Sequence, residues 1–207
     1  MNNKILKNID TYYTNKVIEN GATPKGVDWN SLESQELRFS ILSEVIETKE
    51  NFSILDFGCG FGSMYSFYCE NGFKNFKYAG YDISKQMIIE AEKKNKSTDY
   101  LSWSTELEIN SKFDYVVASG IFNVKLDESN ENWQDYILET LTTINKIAQK
   151  GFSFNVLTKY SDKEYMKDYL YYADPLFLFD FCKLNFSKYV SLKHDYPLYE
   201  FTIIVKK

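Results

Sequence analysis

With 207 residues, 44% of them hydrophobic and 26% charged, the chain has enough apolar material for one sizeable core and is globular rather than disordered. Its net charge of −5, with acid and base intermixed, speaks against a nucleic-acid-binding protein driven by phosphate contacts, and no apolar run reaches membrane-spanning length. Cys59, Cys69 and Cys182 lack metal-ligand spacing and suit a reducing compartment; because Met1–Asp10 is polar rather than a signal peptide, a cytoplasmic protein without a metal is expected.

In chain order, Ile5, Ile9, Tyr12, Tyr13 and Val17 recur at helical spacing and predict a helix over Met1–Asn20. A loop with Gly and Pro follows to Asn30. Asn30 or Ser31 caps a second helix whose expected buried stripe is Leu37, Ile41 and Val45, with Leu42 and Ile46. Ile54-Leu55-Asp56-Phe57 reads as a buried strand that runs into Gly58-Cys59-Gly60-Phe61-Gly62, and a helix over Ser63–Asn71 is closed by Gly72. A second strand covers Phe76–Tyr81, Ser84 caps a helix to Lys96, and a short third strand covers Tyr100–Trp103. Strand four is Phe113–Ala118, a helix spans Glu131–Gln149, and strand five is Phe152–Leu157. The tail breaks this alternation: a helix over Pro175–Leu184 precedes a hairpin of strands Lys188–Lys193 and Glu200–Val205, so the last strand should be antiparallel. The expected fold is α/β, a three-layer sandwich around a mostly parallel seven-stranded sheet with an antiparallel last strand. It forms a single domain over 1–207, with an N-terminal helical lid (1–50) and a cofactor-binding core (51–207).

The glycine turn carries the chemistry. A dinucleotide site wants a third glycine where this chain has Ser63, and Asp56 before the glycines would repel a pyrophosphate but suit an ammonium group. Asp82 ends the next strand twenty residues past Gly62, where a carboxylate can accept hydrogen bonds from both hydroxyls of a ribose. A ligand with an amino group, a carboxylate and a ribose fits this pair, and S-adenosylmethionine has all three.

The runs D-F-G-C-G-F-G, Y-A-G-Y-D-I-S and F-D-Y-V-V-A-S-G, in order over Ile54 to Lys159, resemble the class I S-adenosylmethionine-dependent methyltransferases. That resemblance implies that Asp56, Gly58 and Gly60 face the methionine part of S-adenosylmethionine, with Cys59 as a small residue in the turn, and that Asp82 holds the ribose. Ile83 and Met87 would pack on the adenine, with Ser102-Trp103-Ser104 along its edge; Trp103 also reads as a core residue. The family often has an acidic residue in that stretch, which this chain lacks. Ser119, Phe122 and Asn123, after strand four, would border the sulfonium and the acceptor, although Ser119 and Asn123 also suit turn capping. The family's proline-containing amine-methylating signature is missing there, so that chemistry is not carried over.

The implied activity is methyl transfer to a small-molecule acceptor through oxygen or nitrogen, a sugar or another metabolite being one class. A protein or nucleic-acid acceptor, or a non-catalytic sensor or partner subunit, is the alternative. Positioning supplies much of the acceleration for such a transfer, and a hydroxyl acceptor would also need a base. His194, the only histidine, is the candidate base, or else a surface residue of the hairpin. Tyr171, Tyr172 and Tyr196 could line an acceptor pocket or pack ordinarily. Arg38 is the one arginine among 24 basic residues, so its planar fork stands out; with Trp29 it could close over the methionine end and grip a carboxylate, or it could be solvated.

Overall fold

The computed structural model describes residues 3–27 and 31–207. Its elements in chain order are α1 (Asn3–Asn20), a 3-10 turn (Pro24–Val27), α2 (Leu32–Leu42), β1 (Ser53–Phe57), α3 (Ser63–Glu70), β2 (Lys77–Tyr81), α4 (Lys85–Lys94) and β3 (Leu101–Ser104). Then come β4 (Phe113–Ala118), α5 (Asn130–Ile147), β5 (Ala148–Leu157), α6 (Pro175–Asn185), β6 (Tyr189–Lys193) and β7 (Glu200–Lys206).

The seven strands form one sheet in the order β3-β2-β1-β4-β5-β7-β6. The pairs from β3 to β5 are parallel, and β7 is antiparallel to both β5 and β6. β1 is buried along nearly its whole length, as a central parallel strand covered on both faces must be. Successive strands leave β1 in opposite directions, to β2 and β3 on one side and to β4 and β5 on the other. The carboxyl ends of β1, β2 and β4 therefore border the crevice where open α/β sheets take ligands.

The two faces of the sheet bury separate cores. Leu55, Val116, Phe152 and Phe154 pack with Ile5 and Ile9 of α1, Trp133 and Ile137 of α5 and Leu178 of α6. Ile54, Tyr115, Val117 and Ile204 pack with Phe39 and Leu42 of α2, Met64 and Tyr68 of α3 and Ala91 of α4. The alternation is strict enough that neighbours in β7 serve opposite cores: Ile203 lies in the first and Ile204 in the second.

Local capping places the helices. Ser31 caps α2 by accepting from Ser34 N at 3.2 Å, and the Ser34 hydroxyl accepts in return from Ser31 N at 3.3 Å; Asn30 lies outside the described residues. Of the expected stripe, Ile41, Leu42, Val45 and Ile46 are buried and Leu37 is half-buried, and Gln35, Arg38 and Phe39 join the buried face of α2. The helix ends at Leu42, and a 3-10 turn over Ser43–Val45 completes the segment. α5 runs directly into β5 at Ala148, so strand five starts earlier than its apolar run suggests.

Candidate active site

The glycine turn is pinned to the end of β2. Gly58 N and Cys59 N both donate to Tyr81 O, at 2.7 and 3.0 Å. Gly58, Gly60 and Gly62 have φ of 82°, 52° and 77°, the left-handed region that a side chain disfavours. At Gly58 space is also missing, because a Cβ there would lie 2.3 Å from Cγ2 of Ile121. The turn can thus lie flat against the loop after β4 only as glycine.

Asp82 follows β2 and ties the turn to α4. Its Oδ2 accepts from Gly60 N and its Oδ1 from Ser84 N, both at 2.9 Å. Ser84 caps α4, and its hydroxyl shares a hydrogen bond of 2.7 Å with Thr14 of α1, so the N-terminal helix is anchored beside this carboxylate. Burial pushes the Asp82 carboxyl up to about 6, against the pull of its two backbone donors.

Asp56 points into the same region from β1. The Tyr78 hydroxyl donates to its Oδ2, whereas its Oδ1 is buried and has no hydrogen-bond partner among the described residues. Burial pushes this carboxyl up to about 7, against the Tyr78 bond and helped by the charge of Asp82. The Ser119 hydroxyl is likewise buried without a partner.

These groups line a cavity with about 870 Å³ of unfilled space, its open mouth included. Asp56, Gly58, Cys59 and Gly60 lie along it from the turn; Asp82, Ile83 and Met87 from the end of β2 and α4; and Ser119, Gly120 and Ile121 from the loop after β4. Residues not expected from the sequence complete it: Ile9 and Tyr13 of α1, Val27, Gln35 and Phe39 of α2, Phe61 of the turn, and Tyr136 of α5. Gln35 is 4% exposed, and no described residue bonds its side-chain amide. Its signal in the sequence was a polar residue four before Phe39, on one face of a helix that otherwise buries apolar side chains. Asp56 and Asp82 are the charged side chains among the described lining; no Lys, Arg or His is in it.

Other expected residues stand elsewhere. Trp29 lies outside the described residues. Arg38 does not line the cavity; its guanidinium forms a buried ion pair with Glu200 at 2.7 Å. Ser102 and Ser104 are exposed on β3, and Trp103 packs behind the turn, over Gly62 and Gly80, with its indole N–H on Asn95 O at 2.8 Å. Beyond Ile121 the chain dives into the core: Phe122 is fully buried against Phe154, and Asn123 Oδ1 accepts from Leu157 N at 3.1 Å.

The tyrosines expected around an acceptor are spent on packing and local bonds. Tyr171 is buried with its hydroxyl 3.4 Å from Gln134, Tyr172 accepts from Lys167 N at 2.9 Å, and Tyr196 pairs with Thr202 at 2.9 Å. His194 is exposed one residue past β6, its ring 5.9 Å from those of Tyr160 and Phe201. The sheet order explains this, since β5 and β7 stand between β6 and the crevice.

An unpartnered Asp56 oxygen suits a ligand ammonium, the Asp82 carboxylate a ribose, and Ile83, Met87 and Phe61 the face of a base. With the glycine turn and the antiparallel β7, this arrangement defines a class I S-adenosylmethionine-dependent methyltransferase. A family described as a methyltransferase domain matches residues 55–151. A protein of Mycobacterium tuberculosis (strain ATCC 25618 / H37Rv), Rv1506c, provisionally named a methyltransferase, is 44% identical over 163 residues, 79% of this chain and 98% of its own. The chain therefore belongs to the methyltransferase family. Its fold is also that of magnesium protoporphyrin IX methyltransferase from Synechocystis PCC 6803 with bound S-adenosylmethionine (TM-score 0.70, 14% identity, 98% of this chain and 97% of that one). The DhpI complex with S-adenosylhomocysteine is similar (TM-score 0.68, 12% identity, 100% and 98%).

The Asp56 carboxyl gives a pH dependence with a definite sign. Its value in the free protein, about 7, lies above the ordinary 3.8. A cationic ammonium binds the ionised form, so affinity is full above 7 and falls as the pH drops through it. The dissociation constant for S-adenosylhomocysteine is expected to rise about tenfold between pH 8 and pH 6. Asp56→Asn should flatten that titration by calorimetry; a slope unchanged in the variant assigns the proton elsewhere.

Proposed function

We propose that this cavity holds S-adenosylmethionine and that the enzyme methylates a small, uncharged or cationic acceptor at oxygen or nitrogen. The carrying observation is the lining: mostly apolar, and charged only by Asp56 and Asp82 among the described residues. A phosphate on the acceptor would find no basic partner among the described lining residues, and the Asp56 and Asp82 carboxyls would oppose its charge. When bound, the cofactor supplies an activated methyl group on a sulfonium. In this proposal Asp56 orients the ammonium, Asp82 the ribose, and Ile83, Met87 and Phe61 the adenine. Ser119 and Ile121, with Gln35, Phe39 and Tyr13, then shape the acceptor side, and α1 and α2 act as the lid that excludes water. Holding the acceptor in line would be the main contribution of the protein.

Transfer of labelled methyl groups to a panel of amines, phenols, neutral sugars, sugar phosphates, protein and RNA tests this reading. Label in a neutral or cationic small molecule is expected; label only in sugar phosphates, protein or RNA would contradict it. With the acceptor in hand, His194→Ala should keep turnover within about twofold, because the imidazole does not reach the cavity. A loss of a hundredfold or more would restore His194 as the base.

A further inference from the structure

Arg38, Glu200 and Asn155 form a buried polar chain that the methyl-transfer chemistry does not use. Arg38 Nη1 donates to Ser34 O within α2 at 2.8 Å, and its Nε donates across to Glu200 Oε2 at 2.7 Å. The other Glu200 oxygen accepts from Asn155 Nδ2 at 2.8 Å. Asn155 Oδ1 in turn accepts from the backbone N–H of Gly120 at 2.8 Å. The three residues are 7%, 0% and 0% exposed.

The two ends of this chain lie on two elements that line the cavity. Arg38 lies between Gln35 and Phe39 on α2, both of which line it. Gly120 lies between Ser119 and Ile121 in the loop after β4, and all three line it. The elements that join them, β5 and β7, contribute nothing to the lining themselves.

A buried ion pair is a poor way to gain stability, since well-packed apolar residues serve as well or better. What it adds is direction: each link has a fixed donor, acceptor and distance. Lysine, which this chain uses at every other basic position, could not make two bonds in different directions from one rigid plane. Burial pushes the Glu200 carboxyl up from its usual range, and Arg38 and Asn155 hold it down, so the links also depend on one another.

We propose that Arg38, Glu200 and Asn155 are positioning residues, a relay that sets the spacing between α2 and the 119–121 loop and so the grip of the cavity on its ligand. The proposal rests on the cavity being the cofactor site. Arg38→Lys keeps the charge and loses the fork. In this variant the Gly120 amide is expected to exchange with solvent at least tenfold faster, while amides of the β4–β5 ladder keep their protection. The dissociation constant for S-adenosylhomocysteine should rise at least tenfold with the thermal midpoint nearly unchanged. If Arg38→Lys does not fold, Arg38→Met with Glu200→Met keeps the interior filled, and the same two readouts apply. An unchanged Gly120 exchange rate, or one that rises only in step with the ladder amides, overturns the relay. Should the parent bind no S-adenosylhomocysteine, the cofactor reading of the cavity fails, and the Gly120 exchange still decides the relay.

Discussion

Asp82→Ala is expected to raise the dissociation constant for S-adenosylhomocysteine by at least about a hundredfold. The carboxylate has two duties. It accepts the N–H groups of Gly60 and Ser84, which hold the glycine turn and the start of α4 in register. Its remaining lone pairs are the proposed acceptors for the ribose hydroxyls. Each charge-assisted bond contributes about 1.5–3 kcal/mol, and each buried donor left unsatisfied costs about 1–3 kcal/mol. A combined loss of roughly 3–5 kcal/mol corresponds to a hundredfold to several thousandfold, at about 1.4 kcal/mol per factor of ten. Asp82→Asn keeps one acceptor and should fall between alanine and the parent. Calorimetry on variants with parent-like circular dichroism checks this. An alanine variant that binds as the parent does would remove Asp82 from the site.

Gly80→Ala is expected to produce the largest loss of stability. A Cβ at this position would lie 2.3 and 2.4 Å from two ring carbons of Trp103 and 2.9 Å from the sulfur of Cys59. The indole has no room to retreat. Its N–H is held on Asn95 O, its ring packs in T-shaped contacts with Tyr65 and Tyr78, and its far edge would already lie 2.5 Å from a Cβ on Gly62. Overpacking of this kind costs about 1–3 kcal/mol. In a chain of this length that lowers the thermal midpoint by about 2–12 °C. Gly80 is also the register partner of Asp56, so the strain reaches the site and S-adenosylhomocysteine binding should weaken with it. Adding Trp103→Leu should return part of the lost stability by making room. A single variant as stable as the parent would show that β2 and β3 are not packed this tightly.

What could be read from the sequence was what local physics decides. The bounds of β4, the cap at Ser84, the start of α3 after Gly62 and the antiparallel β7 follow from runs, caps and turns a few residues long. The cavity side of Asp56, the glycine turn and Asp82 belongs to the same class, because the turn and the next strand end are close along the chain; Ile83 and Met87 came from the family resemblance. The proposed acceptor side does not. Gln35, Phe39, Tyr13 and Val27 reach the cavity because α1 and α2 fold back over the sheet, a long-range event that periodicity in either helix cannot reveal.

The reverse holds for His194 and Tyr196. Both follow β6 closely and looked near the site, but the sheet order puts β6 at its far edge. Arg38 was conspicuous as the only arginine, yet its partner, Glu200, lies 162 residues away and carries no local mark. Trp103 allowed two readings, and two glycines without side chains, Gly62 and Gly80, account for the one the structure adopts.

A crystal structure of the enzyme grown with S-adenosylhomocysteine tests the assignment of the cavity most directly. The ribose hydroxyls are expected within hydrogen-bond distance of Asp82, the ammonium at the unpartnered Oδ1 of Asp56, and the adenine among Ile83, Met87 and Phe61. A ligand seated elsewhere, or seated in the cavity without contact to Asp56 and Asp82, would contradict it.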